Sequence, residues 1–165
     1  MNHATRFLLA VLLGAGLLLG GGTARASDAS CSTLFGVFRA HPASPCASPV
    51  GFCTAGTLWG SLSGSYSFVM ASSTPTGTPE APDIFFYTGA STITLGTGDA
   101  LVGIDTGTVD LNPAGSHALA AILTITGGTG GRAGQTGHLV LRGNLALDTG
   151  AVEGSYIGQL CGGRE

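Results

Sequence analysis

Lysine is absent from this chain, and charge of either sign is scarce, with Lys, Arg, Asp and Glu making up 9% of its 165 residues. Without a lysine there is no Schiff-base former and no phosphate-loop ammonium. Behind residue 26 the chain carries four arginines and nine acids, a formal charge of 4 − 9 = −5. Binding to nucleic acid needs clustered basic residues at the phosphates, so that class of partner is excluded. The surface must instead be built mainly from Ser, Thr, Gly and Asn. Also lacking is any sustained 3.6-residue apolar period after the leader, which excludes a helical fold.

The leader is legible by itself. Asn2-His3-Ala4-Thr5-Arg6 is a short basic region, Phe7–Gly20 is an apolar run, and Ala24-Arg25-Ala26 presents small residues where a signal peptidase reads. The run is shorter than the roughly 20 residues of a membrane span. Residues 1–26 therefore read as a secretory signal, with the mature chain starting at Ser27 and no membrane span left after removal. A lipoprotein would need a cysteine directly behind the apolar run, and Cys31 lies beyond it in polar sequence.

All four cysteines, Cys31, Cys46, Cys53 and Cys161, fall in the exported part. An even number in such a chain implies two disulfides. Their spacing lacks CxxC pairs and only His41 lies near the first three, so no metal and no cofactor is expected. Three pairings are open. Cys53 opens a long strand and Cys161 ends the last one; in a closed barrel these would be antiparallel neighbours with both thiols on the outer face. That geometry predicts Cys53–Cys161, leaving Cys31–Cys46 to pin the N-terminal segment.

Residues 27–52 contain Pro42, Pro45 and Pro49 and read as an irregular arm with at most a short strand at 33–39. From Gly56 a strict alternation begins: Leu58, Gly60, Leu62, Gly64, Tyr66, Phe68 and Met70 share one face, opposite Trp59 and a row of serines. This predicts one long β-strand. Further strands are expected at 84–95, 100–106, 119–126, 138–147 and 152–160, separated by Gly-, Pro- and Asn-containing turns. Gly127-Gly128-Thr129-Gly130-Gly131-Arg132-Ala133-Gly134-Gln135-Thr136-Gly137 is a long glycine turn between two of them. It fits GxGxxA formally, but that fingerprint needs a helix to follow, and a strand follows here. The architecture is all-β: an antiparallel calycin-like barrel of about eight strands over residues 53–165, with a β-sandwich as the alternative.

Taken together, Phe52-Cys53-Thr54-Ala55-Gly56-Thr57-Leu58 with Gly64-Ser65-Tyr66-Ser67-Phe68, the glycine turn, and Tyr156-Ile157-Gly158-Gln159-Leu160-Cys161 resemble bacterial exported proteins of the dirigent and allene oxide cyclase barrel superfamily. Arg132 stands where that superfamily has an aromatic. The resemblance implies an eight-stranded barrel whose members guide or cyclise reactive apolar molecules in the lumen. It carries over no catalytic residue, because none of the superfamily's acidic and basic groups matches a position here.

Read from the residues, the inward set includes Leu58, Leu62, Tyr66, Phe68, Leu123, Leu139, Leu141 and Tyr156. Leu62, Tyr66, Phe68, Leu123, Leu141 and Tyr156 are the candidate ligand contacts. A barrel of this size is either filled by side chains or holds one small ligand. Among the acids, Asp83 and Asp99 sit at strand starts and Glu153 lies on a polar face. Asp105 alone can face inward and is the one catalytic candidate, although a solvated position is the default expectation for each. Of the mature histidines His41, His117 and His138, the last two are expected in solvent. Three functions follow: a barrel that binds a small apolar molecule, a dirigent- or cyclase-like guide for a reactive guest, and a structural barrel without a ligand.

Overall fold

The computed structural model describes residues 30–162, so the expected secretory leader at 1–26 lies outside the described residues. Eight strands follow one another: β1 (Ser30–Pro42), β2 (Cys53–Gly60), β3 (Gly64–Pro75), β4 (Ile84–Leu95), β5 (Ala100–Asp110), β6 (Ala118–Gly128), β7 (Thr136–Leu145) and β8 (Val152–Gly162). Each pairs antiparallel with the next, and β1 closes the ring against β8. The only helical turn among the described residues is a 3-10 turn at Gly130–Arg132, inside the glycine turn between β6 and β7.

Two expectations are corrected here. Residues 27–52 are not an irregular arm up to the first barrel strand. Residues 30–42 form β1, which lies between β2 and β8 and pairs with both over most of its length. Its alternation is masked in sequence because Gly36 stands at the inward position between Leu34 and Phe38. The supposed long strand from Gly56 to Met70 is a hairpin, β2 and β3, reversed through 61–63. Gly60, with φ 120, makes the bend, and Leu62 still points inward, so the alternation runs unbroken through the turn. Periodicity alone cannot see such a reversal.

The pleat sends alternate residues into the lumen. Leu58, Leu62, Phe68, Leu123, Leu139, Leu141 and Tyr156 are all buried there. Bulky rings fit because inward glycines lie beneath them. A Cβ on Gly36 would stand 2.5 Å from the Tyr156 hydroxyl, one on Gly89 2.6 Å from Phe68 Cζ, and one on Gly107 2.7 Å from the Tyr87 hydroxyl. The outer face is less polar than its composition suggests. Phe35, Val37, Trp59, Ile104, Ile122 and Ile157 stand exposed among the serines and threonines.

The two ends of the barrel differ. At the end holding the turns 61–63 and 96–99 and the glycine turn, Leu34, Leu58, Leu62, Ile93, Leu101, Ile125, Leu139 and Leu160 pack into a solid plug. Tyr156 locks it: its hydroxyl accepts from Leu62 N–H at 2.9 Å and lies 3.0 Å from the Leu62 carbonyl. The glycine turn docks on the neighbouring β4–β5 turn, where Ala100 N–H donates to Thr129 Oγ1 at 2.9 Å. Gly130, at φ 55, leaves room for the Asp99 carboxylate.

The disulfide pairing is also corrected. Cys31 joins Cys161 and Cys46 joins Cys53. Cys53 and Cys161 lie on strands that β1 separates, so they cannot meet. Cys31 is the register partner of Cys161 across the β1–β8 seam, at the plugged end. Cys46 and Cys53 close a short loop at the opposite end. Two intramolecular disulfides fit an oxidising, extracellular or periplasmic environment. No helix among the described residues is long and apolar enough to cross a membrane.

Candidate functional site

The second half of the lumen is open. A cavity of about 250 Å³ lies between Phe38, Tyr66, Phe68, Tyr87, Asp105 and Leu141. Its mouth is framed by Val50 and Phe52 from the disulfide-closed loop, by Met70 and Ser73 of β3, and by Leu111, Leu119, Leu145 and Val152. The loop is held down by the Cys46–Cys53 bridge, by the Ser48 hydroxyl donating to the Met70 carbonyl at 2.6 Å, and by Met70 N–H donating to the Phe52 carbonyl at 3.0 Å.

Of the six candidate ligand contacts, Tyr66, Phe68 and Leu141 line this cavity. Leu62, Leu123 and Tyr156 face inward but do not line it; Leu62 and Tyr156 belong to the plug. Parity is a local property and cannot say how far along the barrel a side chain sits. Sequence reasoning missed Phe38, Ala40 and Tyr87. Tyr87 was within reach, since it shares parity with Ile93 and Leu95 on β4. Phe38 and Ala40 were lost with the misread of β1.

Asp105 is the main correction among the polar residues. It is 2% exposed, not solvated. β5 runs beyond its expected end to Asp110, and its inward row reads Leu101, Gly103, Asp105, Gly107, Val109. The carboxylate therefore enters the cavity wall midway along the strand. The Ser91 hydroxyl on β4 donates to Asp105 Oδ2, and Ser91 Oγ lies 3.0 Å from the Tyr66 hydroxyl. A serine carries one hydroxyl hydrogen. With that hydrogen on the carboxylate, Tyr66 donates to Ser91, and the chain Tyr66–Ser91–Asp105 points its hydrogens at the acid.

Burial raises the Asp105 carboxyl from its ordinary 3.8 to about 6, while the Ser91 hydrogen bond works in the other direction. Burial also pushes up the Tyr66 and Tyr87 phenols, and the nearby Asp105 charge adds to both shifts. Tyr87 packs edge-on against Phe68, with ring centroids 5.7 Å apart.

The remaining candidates stay outside. Glu153 pairs with Arg39 at 3.2 Å on the exposed surface. Asp83 and Asp99 lie in or beside turns, and His41 and His138 are exposed. His117 departs from its solvated expectation: it is part-buried at φ 53, and its Nε2 has no hydrogen-bond partner. No group of three or more His, Cys, Asp or Glu able to hold a metal ion occurs among the described residues.

The fold and site define a closed eight-stranded antiparallel barrel with one plugged end and one open apolar pocket that contains a single carboxyl group. The chain matches no protein family, no curated protein and no solved structure.

Proposed function

We propose that this is an exported barrel that binds a small, mostly apolar molecule in the open half of its lumen. The observation that carries the reading is the uneven filling of the barrel. A structural barrel would be expected to pack both halves to the density of a protein interior, whereas here one half holds a cavity of about 250 Å³ walled mainly by apolar side chains. That volume lies just under the roughly 300–1,000 Å³ of sites for drug-sized ligands, which points to a compact guest. Export rests on the leader and is supported by the two disulfides. Intact mass of the secreted protein should correspond to a chain starting near Ser27.

The binding test uses ligand-observed NMR with indole and p-cresol. Both should bind the native protein. Ala121, whose small side chain lines the cavity, offers a way to fill it. Ala121→Trp should abolish binding if the variant remains folded by circular dichroism. Unchanged binding in a folded Ala121→Trp protein would place the site elsewhere and remove the proposal.

One observation supports the second reading, a guide or cyclase for a reactive guest: a carboxyl with a pKa near neutrality facing an apolar cavity. Such a group can both give and take a proton at physiological pH. The dirigent and allene oxide cyclase resemblance points the same way.

A further inference from the structure

We infer that the lumen is built for a protonated amine with an apolar body, its ammonium group seated between Asp105 and Tyr87. This rests on the lumenal binding reading above and specifies its ligand. Asp105 Oδ2 is taken by Ser91, but Oδ1 makes no hydrogen bond among the described residues, and neither does the Tyr87 hydroxyl. Among the described residues, no basic side chain reaches the cavity wall. Arg39, Arg142, His41 and His138 all stand on the outer surface. The groups facing Asp105 are Tyr66 from β3 and Ser91 and Tyr87 from β4, while its register partner on β6 is Leu123. A carboxylate buried without a cation is strongly disfavoured, and two remedies exist: it keeps a proton, or a partner brings the positive charge.

The open cavity admits such a partner from the mouth. An ammonium carries three hydrogens and can donate to both Oδ1 and the free Tyr87 hydroxyl. Phe68 and Tyr87 also place two aromatic rings in the lining of the same cavity. Most of the other lining groups, among them Phe38, Ala40, Ala121 and Leu141, are apolar and suit an apolar body, with the hydroxyls of Thr54 and Ser73 as the exceptions beside Tyr66. An anionic guest would meet the carboxylate with no donor of positive charge. A neutral alcohol would satisfy one hydrogen bond and leave the charge unpaired.

Calorimetric titration of the purified protein with 2-phenylethylamine, 2-phenylethanol and phenylacetate separates these cases. At pH 7.5 the amine should bind about tenfold or more tighter than the alcohol, as expected for hydrogen bonds to a charged group, and phenylacetate should bind weakest. Lowering the pH to 5 protonates Asp105 and should erase the preference. Asp105→Asn should bring the amine to the affinity of the alcohol and leave the alcohol within about twofold. Tyr87→Phe should weaken the amine about threefold, giving a second readout that keeps the acid intact. If the alcohol binds as well as the amine to the native protein, the amine inference fails while lumenal binding stands. If none of the three binds, both fail.

Discussion

Cys31 and Cys161 face each other across the seam where the first strand meets the last, with Cα atoms 4.0 Å apart. The bridge covalently seals the barrel at its plugged end. It encloses nearly the whole described chain, with a sequence separation of 130.

Closing so long a loop restricts the unfolded chain strongly, by about 5 kcal/mol in the chain-entropy model, against about 2.5 kcal/mol for a loop the size of Cys46–Cys53. The double variant Cys31→Ser/Cys161→Ser should therefore lose more stability in urea than Cys46→Ser/Cys53→Ser. The shorter bridge acts at the mouth, so its loss should instead weaken lumenal binding. Non-reducing peptide maps should show a Cys31–Cys161 fragment, and a Cys53–Cys161 fragment would refute the arrangement.

Asp105 should leave a mark on the pH dependence of folding. The folded state holds its proton more tightly than the unfolded chain, since the carboxyl is raised to about 6. Its stabilising contribution is therefore complete below its ordinary 3.8 and is lost as pH rises through about 6. The interval corresponds to about 3 kcal/mol at most. Asp110 acts in the opposite sense at lower pH: hydrogen bonding, led by Asn112 N–H, holds its carboxyl below the ordinary value, so its contribution is lost on acidification. Comparing native protein with Asp105→Asn by urea unfolding between pH 4.5 and 7.5 isolates Asp105. The variant should gain about 1–3 kcal/mol on the native protein across that range. Parallel curves would show that the carboxyl is not desolvated as described.

Tyr156 tests the division of the barrel into plug and pocket. Tyr156→Phe removes the acceptor for Leu62 N–H at the β2–β3 turn and leaves that donor buried. The cost should be about 1–3 kcal/mol in chemical denaturation. Affinity for indole should not change, because Tyr156 does not line the cavity. A loss of binding comparable to that of Ala121→Trp would mean that the two halves communicate.

The sequence by itself determined the positions of most strands and most of the apolar side chains that point inward along them. Leu58, Leu62, Phe68, Leu123, Leu139, Leu141 and Tyr156 all occupy the lumen because pleat alternation is a property of neighbouring residues, independent of the rest of the fold. It also determined the turns at 96–99 and 148–151 through their glycines. Only the tertiary structure decided that β1 lies between β2 and β8, since a strand with glycine on its inward row carries little pattern of its own. The disulfide pairing followed from that neighbourhood: the rule of facing thiols on adjacent strands was sound, but the strand adjacent to β8 was the wrong one. The tertiary structure alone also decided which inward residues fill a plug and which line a pocket, because depth along the barrel depends on the register of all eight strands. The same registers bring Tyr66, Ser91 and Asp105, from three different strands, together at one point of the wall.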